Sequence, residues 1–365
     1  MFTTSSTDPL HWASIRVLTD GQASTGAFIA SPNFPQYSFA WLRDGSYCAL
    51  AMDAVGETTS SGAFHSWAAR VIERQRGRIL DIVRRLRAGE QPQPGSMLPT
   101  RYTLSGMPES DGADSWPNFQ LDGYGTWLFA VHAHLAGSDA GSLRPAVELA
   151  ADYLAVSWAL PCYDYWEEFG DRQHTSTLAS IAAGLRAAAR MLDRPDLEAT
   201  ADAVLRSIRT SCVSDGRFVK GPHDARLDAS LISLATPFGL VNHDDPVMLA
   251  TIEAIRSTLA SPSGGIRRYL GDTYYGGNPW FLLTAWLGWH DRLGDNTGGH
   301  VHAVDWVRGH RAANGWLAEQ ILDEPQDPSA VEPWIDRWGP VADPLLWSHA
   351  KYLLMQSDVE SVRWS

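Results

Sequence analysis

The sequence predicts an all-α protein arranged as a helical toroid of paired inner and outer helices, and three observations predict it. Apolar residues recur at three- and four-residue steps in about twelve separate stretches, whereas the strict alternation of a half-buried strand is nearly absent. Gly- and Pro-rich loops separate the stretches, roughly one helix and loop per 30 residues. The 365 residues are 44% hydrophobic and 19% charged, enough for one large core, and no low-complexity linker divides them.

In chain order the predicted helices cover 8–20, 38–55, 64–88, 120–137, 143–157, 174–192, 197–213, 225–237, 246–261, 275–293, 301–313 and 343–356. Within 174–192, Leu178, Ile181, Leu185, Ala188 and Leu192 share one face, an alanine-rich side suits close packing, and Asp193 and Pro195 close the helix. Between Ile72 and Arg87, Ile79, Ile82, Val83 and Leu86 alternate with arginines, so one face is wet and one buried. The Pro-rich segment that follows cannot continue a helix. The richest loops, 89–114, 215–226, 261–272 and 322–343, are expected to form the functional rim, since loops on a rigid scaffold tend to carry chemistry.

Composition excludes several classes. Lys and Arg total 29 against 42 Asp and Glu, a formal net charge of -13, so neither nucleic acid nor an anionic membrane surface is expected as a partner. Only Lys220 and Lys351 are lysines, and no GxxxxGK[ST] phosphate loop occurs. Cys48, Cys162 and Cys212 are odd in number and far apart, which argues against a disulfide framework or a CxxC zinc site. The first residues show no cationic start followed by an apolar core, so a cytoplasmic protein without an obligate protein partner is expected. His132 and His134, like His300 and His302, stand two residues apart, a spacing that does not share a helix face, and no HExxH occurs. No catalytic metal and no cofactor are expected. The GxSxG elbow is also absent.

Sixteen tryptophans stand out, because indole faces either fill large cores or stack on sugar rings, and only position decides. Four segments combine acids or Arg–Asp pairs with such surroundings. In residues 164–177, Asp164, Glu167, Glu168 and Asp171 crowd around Trp166. Repulsion among them favours keeping one carboxyl protonated, as a general acid requires, while an acidic first turn favoured by the helix dipole explains the same pattern. Glu319 in GWLAEQ follows a helix end, where it is either placed for chemistry or merely solvated, with Glu324 and Glu332 as rivals. Arg43–Asp44 in FAWLRDGSY and Arg268 in 264–280 offer fixed donors and acceptors suited to vicinal hydroxyls, or else form buried ion pairs.

Taken together, YSFAWLRDG at 37–45, SWPNFQLDGYG at 115–125, DYWEE at 164–168, LDASL at 227–231, RYLGDTYYGGNPW at 268–280, GWLAEQ at 315–320 and LLWSHA at 345–350 resemble the glucoamylase family, glycoside hydrolase family 15, in order and over nearly the whole chain. The resemblance implies an (α/α)6 barrel and inverting, exo-acting hydrolysis that releases β-glucose from the non-reducing end of an α-glucoside. It implies Glu167 as general acid and Glu319 as general base. It further implies Tyr37, Trp41, Arg43, Asp44, Trp116, Asp164, Glu168, Arg268 and Trp347 as sugar-binding residues.

Two departures qualify the resemblance. The segment between GWLAEQ and WSHA is longer than in the fungal-type pattern, which makes Glu332 the runner-up base. Glu319 is preferred because Gly, Leu, Glu and Gln all match, whereas Glu332 precedes Pro333. The extra loop, with Trp334 and Trp338, is then expected to shape the pocket beyond the cleaved bond. Secondly, residues 1–365 read as a single catalytic barrel, without the N-terminal β-sandwich or starch-binding module of larger relatives. Short oligosaccharides are the expected substrates, the sequence being similar to compact bacterial isomaltose glucohydrolases that cut an α-1,6 bond. An α-1,4-acting glucoamylase or maltose hydrolase and a trehalase keep both glutamates and remain open, as does, from another class, a sugar-binding toroid that does not cleave.

Overall fold

The computed structural model describes residues 8–92, 95–109 and 118–357. Thirteen α-helices are formed among these residues: α1 (Pro9–Asp20), α2 (Leu42–Ala54), α3 (Thr58–Arg74), α4 (Arg76–Arg87), α5 (Asp122–Leu135), α6 (Arg144–Ser157), α7 (Thr175–Leu192), α8 (Pro195–Ser211), α9 (Pro246–Ala254), α10 (Phe281–Leu293), α11 (Thr297–His310), α12 (Val331–Trp338) and α13 (Leu346–Gln356). Four two-residue strands make two small antiparallel pairs, one of which sets Trp41 opposite Arg101.

Burial separates an inner from an outer set. Helices α2, α5, α7, α10 and α13 are buried almost all round, as helices enclosed by others must be. By contrast α8 buries only Leu197, Ala201, Val204 and Ile208, one stripe at three- and four-residue steps. The inner members pack in the order α2, α5, α7, the 3-10 segment Ala229–Leu234, α10 and α13, and α13 closes back on α2. Helices α1, α3, α6, α8, α9 and α11 alternate with them along the chain and form the outer layer, which is the expected (α/α)6 barrel. Helices α5 and α7 cross at backbone contact: a Cβ on Gly184 would lie 2.5 Å from the carbonyl oxygen of Gly125, so neither glycine has room for a side chain.

Three elements differ from expectation. The fourth inner member is a 3-10 turn rather than a helix over 225–237, because Asp228 caps it at Ser230 and Pro237 offers no backbone N–H while restricting Thr236. Residues 64–88 divide into α3 and α4 at Gln75, whose backbone leaves the helical region at φ -88°, ψ 4°. Helix α12 lies within the stretch expected to be loop, its Val331, Trp334, Ile335 and Trp338 lining one face. The three cysteines are buried and unpaired. Among the described residues no helix is long and apolar enough to cross a membrane.

Candidate active site

The N-terminal ends of the inner helices converge on a cavity of about 430 Å³. Trp41 and Arg43 stand at the start of α2, Trp280 precedes α10 and Trp347 opens α13, and all four line it. The positive ends of these helix dipoles therefore face the carboxylates of the site.

Glu167 sits in the turn between α6 and α7, with φ at +65°, a left-handed conformation uncommon for a residue with a Cβ. Asp164 holds that turn: its Oδ1 accepts from the backbone N–H groups of Trp166 and Glu168, both at 2.9 Å. The other oxygen of Asp164 pairs at 2.8 Å with buried Lys220, which also pairs with Asp228, while Asp228 accepts from the Trp166 indole. Glu167 Oε1 accepts from the Trp41 indole N–H at 2.5 Å and lies 3.9 Å from Arg43. Burial pushes the Glu167 carboxyl up to about 7, although Arg43, Arg101 and the Trp41 hydrogen bond oppose it.

Glu319 lies on the segment between α11 and α12 and is 2% exposed. The main chain of this segment is pinned by α13: Leu317 N–H donates to His349 Nε2 at 3.0 Å, and the Ser348 hydroxyl donates to the Ala318 carbonyl at 2.8 Å. Glu319 Oε1 accepts from the Tyr37 hydroxyl at 3.0 Å, whereas Oε2 is buried with no hydrogen-bond partner among the described residues. Burial again pushes this carboxyl up to about 7 against the Tyr37 hydrogen bond and the nearby Arg268 charge. In the ring, Glu167 precedes the third inner member and Glu319 the sixth, so the two enter the cavity from loops half a turn apart.

Around them, Arg43 donates to Asp122 at 3.0 Å and Gln120 at 3.1 Å, pairs with Asp44 at 3.2 Å, and sits over Trp347 with 5.1 Å to the ring centroid. Burial raises Asp44 against the adjacent Arg43. Arg268 is held by Asp272 and reaches Glu168 at 3.2 Å, caged by Trp166, Tyr274 and Trp280. Burial likewise raises Glu168 against the Arg268 charge.

The structure thus brings Tyr37, Trp41, Arg43, Asp44, Glu167, Glu168, Arg268, Glu319 and Trp347 to one cavity. Asp164, expected to touch sugar, does not line the cavity, because its carboxylate is committed to the Glu167 turn and to Lys220. Trp116 lies outside the described residues. Glu332 is exposed on α12 and does not line the cavity, whereas Trp334, Arg337 and Trp338 of that helix do. Sequence reasoning missed Tyr274, whose hydroxyl is 3.0 Å from that of Tyr37, and Trp280. Both lie in the 268–280 segment, and their aromatic density was the available signal.

A buried Glu319 and a partly buried Glu167, set among aromatic walls at the ends of a double ring of helices, define a carbohydrate-cleaving toroid. Residues 14–337 match the model for glycosyl hydrolases family 15, and the chain belongs to that family. It is 39% identical over 352 residues to the isomaltose glucohydrolase of Kribbella flavida, covering 94% of this chain and 90% of that protein. A solved glycosidase variant in complex with glucose superposes with a TM-score of 0.90 at 38% identity, covering 95% of each chain. A bacterial glucoamylase complexed with acarbose shares the fold at a TM-score of 0.76 and 20% identity, over 96% of this chain and 55% of its own. The protein is a glycoside hydrolase.

Proposed function

We propose that the enzyme releases β-glucose from the non-reducing end of short α-glucosides with inversion, and that its substrate is the α-1,6 bond of isomaltose. Glu167 is the general acid that protonates the leaving glycosidic oxygen. Glu319 is the general base that takes a proton from the attacking water. The ring alone forms the catalytic unit.

The observation that carries this reading is the state of Glu319: one oxygen is oriented by Tyr37, with Tyr274 beside it, and the other is buried without a hydrogen-bond partner among the described residues, where it can accept from a water. A carboxyl entering from half a turn away, Glu167, stands near neutral pH where it can hold a proton. Inversion requires roughly 6.5–9.5 Å between such groups, leaving room for water on the far side of the sugar. Arg43 and Asp44 bind hydroxyls of the terminal glucose, and Trp347 and Trp280 supply its apolar walls. The α-1,6 assignment draws on the extensive similarity to a protein named isomaltose glucohydrolase. It also draws on α12, whose Trp334, Arg337 and Trp338 line the cavity and are proposed to contact the leaving sugar.

Proton NMR of isomaltose, maltose and trehalose, each incubated with the enzyme and followed at the anomeric signals from the first minutes, tests the proposal. Each cleavage also frees the reducing-end glucose with its own anomeric mixture, so β-glucose in excess of that share before mutarotation, fastest from isomaltose, supports the proposal. α-Glucose in excess overturns inversion, and faster release from maltose or trehalose overturns the linkage.

A further inference from the structure

At the other end of the inner helices, Asp53, His65 and His134 meet although they are far apart in sequence. Asp53 lies near the end of α2, His134 near the end of α5 and His65 midway along α3. Asp53 is ten residues beyond Arg43 on one helix, about 15 Å along its axis at 1.5 Å per residue, so the group is separate from the cavity. One donor atom from each of the three residues lies within 4.8 Å of the others. His134 Nδ1 is 3.0 Å from both Asp53 oxygens, and the two imidazole rings are 4.9 Å apart.

His65 is the unexplained member. It is 1% exposed, and both ring nitrogens are buried with no hydrogen-bond partner among the described residues. A neutral imidazole always carries one N–H and one lone pair, and buried groups of this kind are normally satisfied.

We propose that Asp53, His65 and His134 form a structural site for a zinc-class divalent cation that ties α2, α3 and α5 together on the face remote from the cavity. Two imidazoles and one carboxylate select a transition ion over magnesium or calcium, which prefer all-oxygen sets. Ligands about 2.0–2.1 Å from a tetrahedral ion stand roughly 3.3 Å from one another, so the Asp53–His134 edge already has nearly the required length. The donor atoms lie within 4.8 Å of one another, so the edges to His65 are the ones that would have to shorten for all three residues to ligate. The buried Ser61 hydroxyl donates to Asp53 Oδ2 at 2.7 Å, the position of an outer partner that orients a ligating carboxylate. A solvent molecule would complete the coordination. The site takes no part in hydrolysis.

The test uses the full-length enzyme, stripped with a chelator and dialysed, then titrated with Zn2+ by calorimetry and with Co2+ by visible absorbance. One equivalent of Zn2+, an intense tetrahedral Co2+ spectrum, a Zn2+-dependent rise in Tm of several degrees and an unchanged kcat are expected. Asp53→Asn, His65→Phe and His134→Gln should each weaken binding by more than the roughly 10- to 100-fold that loss of an outer partner costs, and abolish the Tm response. Should His65→Phe fail to fold, His134→Gln, at a partly exposed position, decides the question. Absence of stoichiometric binding by the wild type, or undiminished binding by His134→Gln, overturns the proposal.

Discussion

Tyr37 and Trp41 pack edge to face, their ring centroids 5.7 Å apart at 82°, and each donates a hydrogen bond to a different glutamate of the cavity. The carboxyls enter on loops half a turn apart in the ring, yet both are referenced to one short stretch of chain that is itself fixed by the Trp41–Arg101 strand pairing. Errors of about 1 Å in such a separation cost rate steeply, so a shared anchor has mechanistic value.

Replacing Glu319 or Glu167 by Gln preserves shape and removes the titrating oxygen. Each change should lower kcat on isomaltose about 10²- to 10⁴-fold while glucose still binds in an NMR titration. The roles separate on an aryl α-glucoside whose phenolate leaves without protonation. Glu167→Gln should recover much of its rate on that substrate and Glu319→Gln should not; equal recovery would contradict the assignment.

The pH profile follows from the same pair. Turnover requires Glu319 ionised and Glu167 protonated, so kcat/KM should rise as pH passes the pKa of the base and fall as it passes that of the acid. Both are lifted toward about 7 by burial, and the observed limbs belong to the coupled pair. Tyr37→Phe removes a hydrogen bond that lowers the Glu319 pKa, so the acidic limb should move to higher pH. Trp41→Phe removes the corresponding support of Glu167, so the alkaline limb should move to higher pH. If Tyr37→Phe instead moves the alkaline limb and Trp41→Phe the acidic one, the roles are reversed.

Lys220 is 3% exposed and bridges Asp164 and Asp228 beneath the Glu167 turn. Lys220→Met should destabilise the fold by about 3–5 kcal/mol, since two buried carboxylates lose their partner. Denaturant unfolding measures this, and kcat should fall with it because the left-handed turn relaxes. A loss under about 1 kcal/mol would mean that the two carboxylates do not depend on Lys220.

Trp338 lines the cavity and lies under Arg337. Trp338→Ala should lower kcat/KM for isomaltose roughly 2- to 10-fold, the worth of one aromatic contact, by weakening the leaving-sugar site. Inhibition by glucose, read as Ki, should not change. A parallel change in both would place Trp338 at the terminal glucose instead.

Much was legible from local pattern. Helical periodicity repeats every few residues, so eleven of the twelve expected stretches contain a helix; the twelfth, 225–237, forms the shorter 3-10 segment. Arg43, Glu167 and Glu319 were visible because their motifs are contiguous. Helix α12 was legible in principle, as Val331, Trp334, Ile335 and Trp338 have helical spacing, but Pro333 and the short run masked it.

The sequence by itself determined the all-α class, and its contiguous family motifs singled out Glu167 and Glu319, which with Glu168 are the glutamates lining the cavity among the described residues. Only the tertiary structure decided the partners. It turned Asp164 away from the cavity to Lys220, 56 positions on, joined Tyr37 to Glu319 across 282 positions, and gathered Asp53, His65 and His134 from three helices. Contacts of that kind arise from closure of the ring, which sets residues of distant loops side by side, and no local periodicity encodes which loop ends will meet.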